Sequence, residues 1–99
     1  MAIFYKLPGC PLKSVDDEDF WEAKKLTAGI DTDDIDPDSF AAACYDANSI
    51  DELLCELRAK PSAVDMELWA ITPEEWRAEM LLGLAALVKE VEEHAEGEV

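Results

Sequence analysis

The feature that most constrains the fold is a long uninterrupted helical stretch in the last quarter of the chain, Thr72 to Ala95. It opens TPEEW, which places Thr72 as N-cap, Pro73 at the first helical position and Glu75 as the return half of a capping box. Trp76, Met80, Leu84, Leu87 and Val91 then recur at steps of three and four and make one helical stripe. Leu81, Ala85 and Val88 widen it, and Met80 to Val88 is apolar without a break. A helix apolar over so much of its circumference needs neighbours on several sides. The pattern predicts the central helix of the fold.

Ninety-nine residues is the size of one domain with a marginal core, read here as 1–99. At 49% hydrophobic the composition is that of a folded chain, so the unusual quantity is charge. Twenty-four Asp and Glu against eight Lys and Arg leave −16. Such a surface repels nucleic-acid phosphates and anionic lipid, which argues against direct nucleic-acid or membrane binding, and it attracts basic protein surfaces or cations. Three cysteines, Cys10, Cys44 and Cys55, are an odd number without CxxC spacing. They form neither a disulfide framework nor a zinc set, which fits a reducing cytosol. Two read as packed helix cysteines and one as a loop thiol. Residues 1–7 carry Lys6 and too few apolar residues for a signal peptide, and the longest apolar run is nine. Roughly twenty are needed to span a bilayer. The expectation is a soluble, cytoplasmic protein.

Ala2 to Leu7 is short, aromatic and partly β-branched, and PGCP stops it, which predicts a strand. Ser14 then reads as the cap of a helix whose first turn holds Asp16, Asp17, Glu18 and Asp19, where the macrodipole favours negative charge. Phe20, Trp21, Ala23 and Leu26 give that helix an apolar side, and Gly29 is placed to end it. After a polar connection, Asp36 and Pro37 predict a helix start, with Phe40 to Ala47 helix-permissive and Asn48 as its stop. Ser49 and Glu52 form a second capping-box pattern, opening a helix with Ile50, Leu53, Leu54 and Leu57 on one side, stopped by Pro61. Val64 to Ile71 alternates apolar and other residues with period two, although Ser62 is also a helix-cap candidate. We read it as a short strand that pairs with residues 2–7. The acidic tail 90–99 is expected to fray.

Catalytic and metal chemistry find little support. Asp34, Asp36 and Asp38 have the one-three-five spacing of an EF-hand loop, but Pro37 stands at position four, Ser39 at six and Tyr45 at twelve, where Gly and Glu are needed. The only histidine, His94, lies in a run of glutamates and reads as solvent-facing, so neither a His-based triad nor a His/Cys zinc set can be assembled. No Gly-rich loop follows a strand to cradle a phosphate. The expectation is therefore no enzyme, no cofactor and no metal site.

The acidic clusters remain. Asp16 to Asp38 holds ten carboxylates against Lys24 and Lys25, a local −8 in 23 residues, and Lys89 to Val99 adds −4. A charge run is most often a solubilising face. Solubility, however, needs a net charge of about 2 to 8 in a small domain, and this chain carries twice the upper figure. Carboxylates clustered on a folded surface can copy the charge array of a nucleic-acid backbone and compete for Lys/Arg grooves. With its DDED and DTDDIDPD runs and no catalytic set, the chain resembles the small acidic inhibitors encoded by phages, the nucleic-acid-mimicking anti-CRISPR and anti-restriction proteins among them. The resemblance is one of composition, and those inhibitors share no common fold. It implies a basic channel of a defence complex as the target.

The sequence thus predicts an α+β, mainly helical domain: four helices, the C-terminal one central with the others around it, and two short strands paired. Its expected function is binding and inhibition of a basic, nucleic-acid-handling protein complex. The residues expected to carry this are Asp16, Asp17, Glu18, Asp19, Glu22, Asp31, Asp33, Asp34, Asp36 and Asp38. One alternative is an assembly or adaptor protein that homodimerises or docks through the apolar last helix, and a second is a cation-binding domain.

Overall fold

A computed structural model describes residues 2–47, 49–59 and 61–98. Among them the chain forms, in order, β1 (Ala2–Tyr5), β2 (Lys13–Asp16), α1 (Asp17–Leu26), α2 (Phe40–Ala47), α3 (Ile50–Arg58), α4 (Ala63–Trp69), α5 (Pro73–His94) and β3 (Ala95–Glu98). The class is α+β and mainly helical, with five helices rather than four and a three-stranded antiparallel sheet rather than a pair of strands.

The capping box predicted at Thr72 is complete. The Thr72 hydroxyl accepts from the Glu75 N–H at 3.2 Å, and the Glu75 carboxylate accepts from the Thr72 N–H at 3.3 Å. α5 then runs 22 residues through the centre of the molecule. Met80, Leu84, Leu87 and Val91 are fully enclosed, and the neighbouring Gly83, Ala85, Ala86 and Val88 are buried too. α1 and α3 pack on α5 and on each other, contributing Phe20 and Ala23 from α1 and the predicted stripe Ile50, Leu53, Leu54 and Leu57 from α3. α2 covers another side of α5 with the small residues Ala41, Ala42 and Cys44.

β1 is the middle strand of the order β2-β1-β3, and its alternate residues Ile3 and Tyr5 enter the core. Its turn is local chemistry: Pro8 and Gly9 occupy the central positions, Gly9 has φ 76°, and the Leu7 carbonyl accepts from the Cys10 N–H at 3.0 Å, the pattern of a type II turn. β2 returns alongside with Val15 opposite Ile3.

Several local expectations are corrected. Ser14 lies within β2, opposite Phe4, and the α1 cap is Asp16, whose carboxylate accepts from the Glu18 N–H at 3.1 Å. α1 ends before Gly29, where Thr27 turns its backbone N–H and its hydroxyl to the Ala23 carbonyl. α2 begins at Phe40 instead of Pro37, because the Ser39 hydroxyl caps it by accepting from the Ala42 N–H. The stop expected at Asn48 lies outside the described residues. Ser49 is the N-cap of α3 but makes no side-chain cap bond, so the second capping box does not form.

Residues 64–71 are not a strand paired with β1. Ser62 caps them as α4, accepting from the Val64 N–H at 3.2 Å, and both flanks of β1 are already taken by β2 and β3. The tail expected to fray is instead structured over its described part. Helix continues to His94, and residues 95–98 pair with β1, closing a ladder that would otherwise leave β1 groups unpaired. Of the two cysteines read as packed, Cys44 is buried and Cys55 is exposed.

Candidate protein-binding surface

Folding separates the ten predicted carboxylates into two groups. The first surrounds the start of α1. There Asp16 is occupied as the cap, Asp17 is half-buried and Glu18 is exposed. Arg58 of α3 reaches across to Asp19, Nη2 to Oδ1 at 3.7 Å, and forms a closer bond to Glu22. The hydrogen bond to Glu22 raises the Arg58 pKa above its ordinary value. This part of the run is therefore partly neutralised from within the chain, by a residue 36 positions away from Glu22.

The second group lies in the connection between α1 and α2. Asp31 accepts from the Asp33 N–H and Asp36 from the Asp38 N–H, both at 3.0 Å. These two carboxylates shape the loop by bonding the backbone two residues on. Asp33 also meets Lys89 of α5 at 3.4 Å. Asp34 and Asp38 are exposed and take part in no ion pair among the described residues.

Against this loop, α2 and the C-terminal half of α5 frame a cleft of about 480 Å³. Asp33 comes from the loop, Asp46 from α2, and Glu90 and Glu93 from α5, with Lys89 and Tyr45 between them. Tyr45 responds first to burial and then to these acidic neighbours. Burial, then a hydrogen bond to Glu90, then the charges of Glu90, Asp46 and Glu93 push its pKa up to about 12. Asp46, Glu90 and Glu93 were not among the predicted site residues. Glu90 and Glu93 stand in the second acidic run, 89–99, but nothing local joins that run or Asp46 to the loop carboxylates, which they meet only once α2 lies on α5.

The last turn of α5 also bears on the cation-binding alternative. Glu90, Glu93 and His94 bring one ligand atom each to within 4.8 Å of one another, and His94 Nε2 lies 3.3 Å from Glu90 Oε2. Any cation held by side chains would have better geometry there than at Asp34, Asp36 and Asp38, where Asp36 is committed to its own loop. Side-by-side acidic groups are nevertheless ordinary on so acidic a surface, and proximity alone does not assign the trio a metal.

The apolar stripe of α5 named for the docking alternative faces inward, with Trp76, Met80, Leu84, Leu87 and Val91 buried and Leu81 partly so. Exposed apolar side chains are found elsewhere, chiefly Val64 and Leu68 on α4, at 71% and 76%, and Trp21 on α1. No helix is long and apolar enough to cross a membrane among the described residues. Comparison with known protein families, curated proteins and solved structures finds no match to this chain.

Proposed function

We propose that the chain binds a basic groove of a nucleic-acid-handling protein complex and blocks it, its carboxylates standing where phosphates would lie, as in the small phage-encoded inhibitors it resembles in composition. The observation that carries this reading is the acidic surface left over once internal pairing is counted. Twenty-four carboxylates meet four Lys or Arg ion pairs among the described residues, two of them sharing Arg58 and each at least partly exposed. Pairs of that kind contribute about 0–1 kcal/mol and neutralise little at a distance. Loop, α2 and α5 carboxylates converge on one cleft, so a basic surface approaching it meets a concentrated field rather than scattered charges.

The test is competition. The partner recovered by pull-down from host lysate should bind this protein or a nucleic-acid duplex, but not both. Replacing Asp31, Asp33, Asp34 and Asp38 by Asn removes four charges, while Asn at position 31 can still accept from the residue 33 N–H. This variant should bind the partner about tenfold or more weakly at physiological salt. Simultaneous binding of protein and duplex, together with full affinity of the Asn variant, would refute charge mimicry.

A further inference from the structure

We propose that the hollow beneath α4 is a socket for one cationic side chain of a partner protein, with arginine preferred over lysine. The end of α3, α4, α2 and the start of α5 border an open hollow of about 340 Å³, far more than the roughly 30 Å³ of a single water. Three of its lining side chains are aromatic. Phe40 and Trp69 lie with ring centroids 5.0 Å apart and planes tilted by 47°, and the third, Trp76, is buried. Two carboxylates, Glu56 and Asp65, complete the lining, and neither takes part in an ion pair among the described residues.

The combination selects its occupant. A purely apolar group would desolvate two carboxylates without replacing their hydrogen bonds, which is costly. An anion would be repelled by both. A guanidinium on a flexible stem meets every demand: the stem and planar face lie on the rings, and the donor fork reaches the carboxylates. A lysine supplies the charge but not the flat face, which sets the order of preference.

α4 itself is lightly seated: it has no fully buried residue, Met66 and the following Ile71 pack part-buried against the core, and the Ser62 cap and the Ala70 and Ile71 N–H groups close its two ends. Trp69 is left 37% exposed as a wall. Burial pushes the Cys44 thiol up to about 12, so the sulfur in the lining adds no charge of its own. The inference rests on the basic-partner reading for the source of the side chain. Its test uses free peptides, so the two can fail separately.

The probes are blocked Gly-Arg-Gly, Gly-Lys-Gly and Gly-norleucine-Gly tripeptides, titrated into the full chain and followed by NMR of the three indole N–H signals. Trp69 and Trp76 line the hollow, whereas Trp21 on α1 does not and serves as the control. The arginine peptide should give a saturable shift of Trp69 and Trp76 but not of Trp21, with lysine weaker and norleucine silent. Glu56→Gln with Asp65→Asn, both exposed and isosteric changes, should weaken arginine binding about tenfold or more. The Asn variant of the loop should leave it unchanged. Equal shifts at Trp21, binding of norleucine, full affinity in the Glu56/Asp65 variant, or no saturation by about 10 mM would each overturn the socket.

Discussion

Ala70 is the described non-glycine residue with positive φ, at φ 51° and ψ 47°. It stands where α4 must stop and reverse. Its N–H donates to the Glu67 carbonyl at 3.2 Å and the Ile71 N–H to the Met66 carbonyl at 3.1 Å, the two bonds of a Schellman motif. Met66 and Ile71, the pair that accompanies this motif, are both partly buried against the core. A left-handed L-residue costs about 1–2 kcal/mol, and glycine avoids that at the expense of a more disordered unfolded chain. Ala70→Gly should therefore stabilise the protein by about 0.5–1 kcal/mol and raise Tm by a few degrees. Thermal unfolding checks it, and a lower Tm would mean that residue 70 is not left-handed in the folded chain.

The same trade between backbone and packing decides how α2 meets α5, with the opposite sign. A Cβ on Gly83 would stand 2.7 Å from the Ala41 carbonyl oxygen and 2.7 Å from Cys44 Cβ. The first is backbone and cannot yield without moving the helix. Gly83→Ala in a free helix would gain about 1 kcal/mol of propensity, but here overpacking costs about 1–3 kcal/mol or more. The variant should be destabilised in urea unfolding, and a stabilised one would show that α2 does not lie against Gly83. Helices α1, α2, α3 and α5 were legible in the sequence because apolar stripes, helix-permissive runs and the Thr72 capping box are local signals, although Ser14 misplaced the cap of α1 and the Ser49–Glu52 pattern overstated that of α3. α4 was misread because alternation over eight residues is ambiguous, and Val64 and Leu68 are four apart on an exposed face rather than two steps along a strand. β3 was not legible at all: AEGE has little strand propensity, and it pairs because β1 offers an open flank. The acidic cleft was half legible. Its loop residue Asp33 stood in a visible run, while Asp46, Glu90 and Glu93 depended on the α2–α5 packing.

The molecule as a whole measures 40 × 26 × 25 Å and carries −16. At 0.01 M salt the Debye length is about 30 Å, longer than the two short axes, so the carboxylates repel one another across the protein. At 0.15 M it is about 8 Å and only neighbours interact. Screening also weakens the internal ion pairs, but these are few, exposed and worth about 0–1 kcal/mol each. Repulsion among the unpaired carboxylates outweighs them, and stability should rise with salt. A gain of 1 kcal/mol corresponds to about 4–8 °C in a domain of this size, so Tm should climb by several degrees between 0.01 and 0.15 M sodium chloride. The loop variant with Asn at positions 31, 33, 34 and 38 should melt higher than the parent at 0.01 M and show a shallower salt dependence, since it begins with less repulsion to relieve. Partner binding should move the other way, weakening with salt, because it depends on the same field acting between molecules instead of within one. A Tm that is flat or falls with salt in the parent would mean that the carboxylates are already compensated within the fold. The excess charge on which the proposed recognition depends would then not exist.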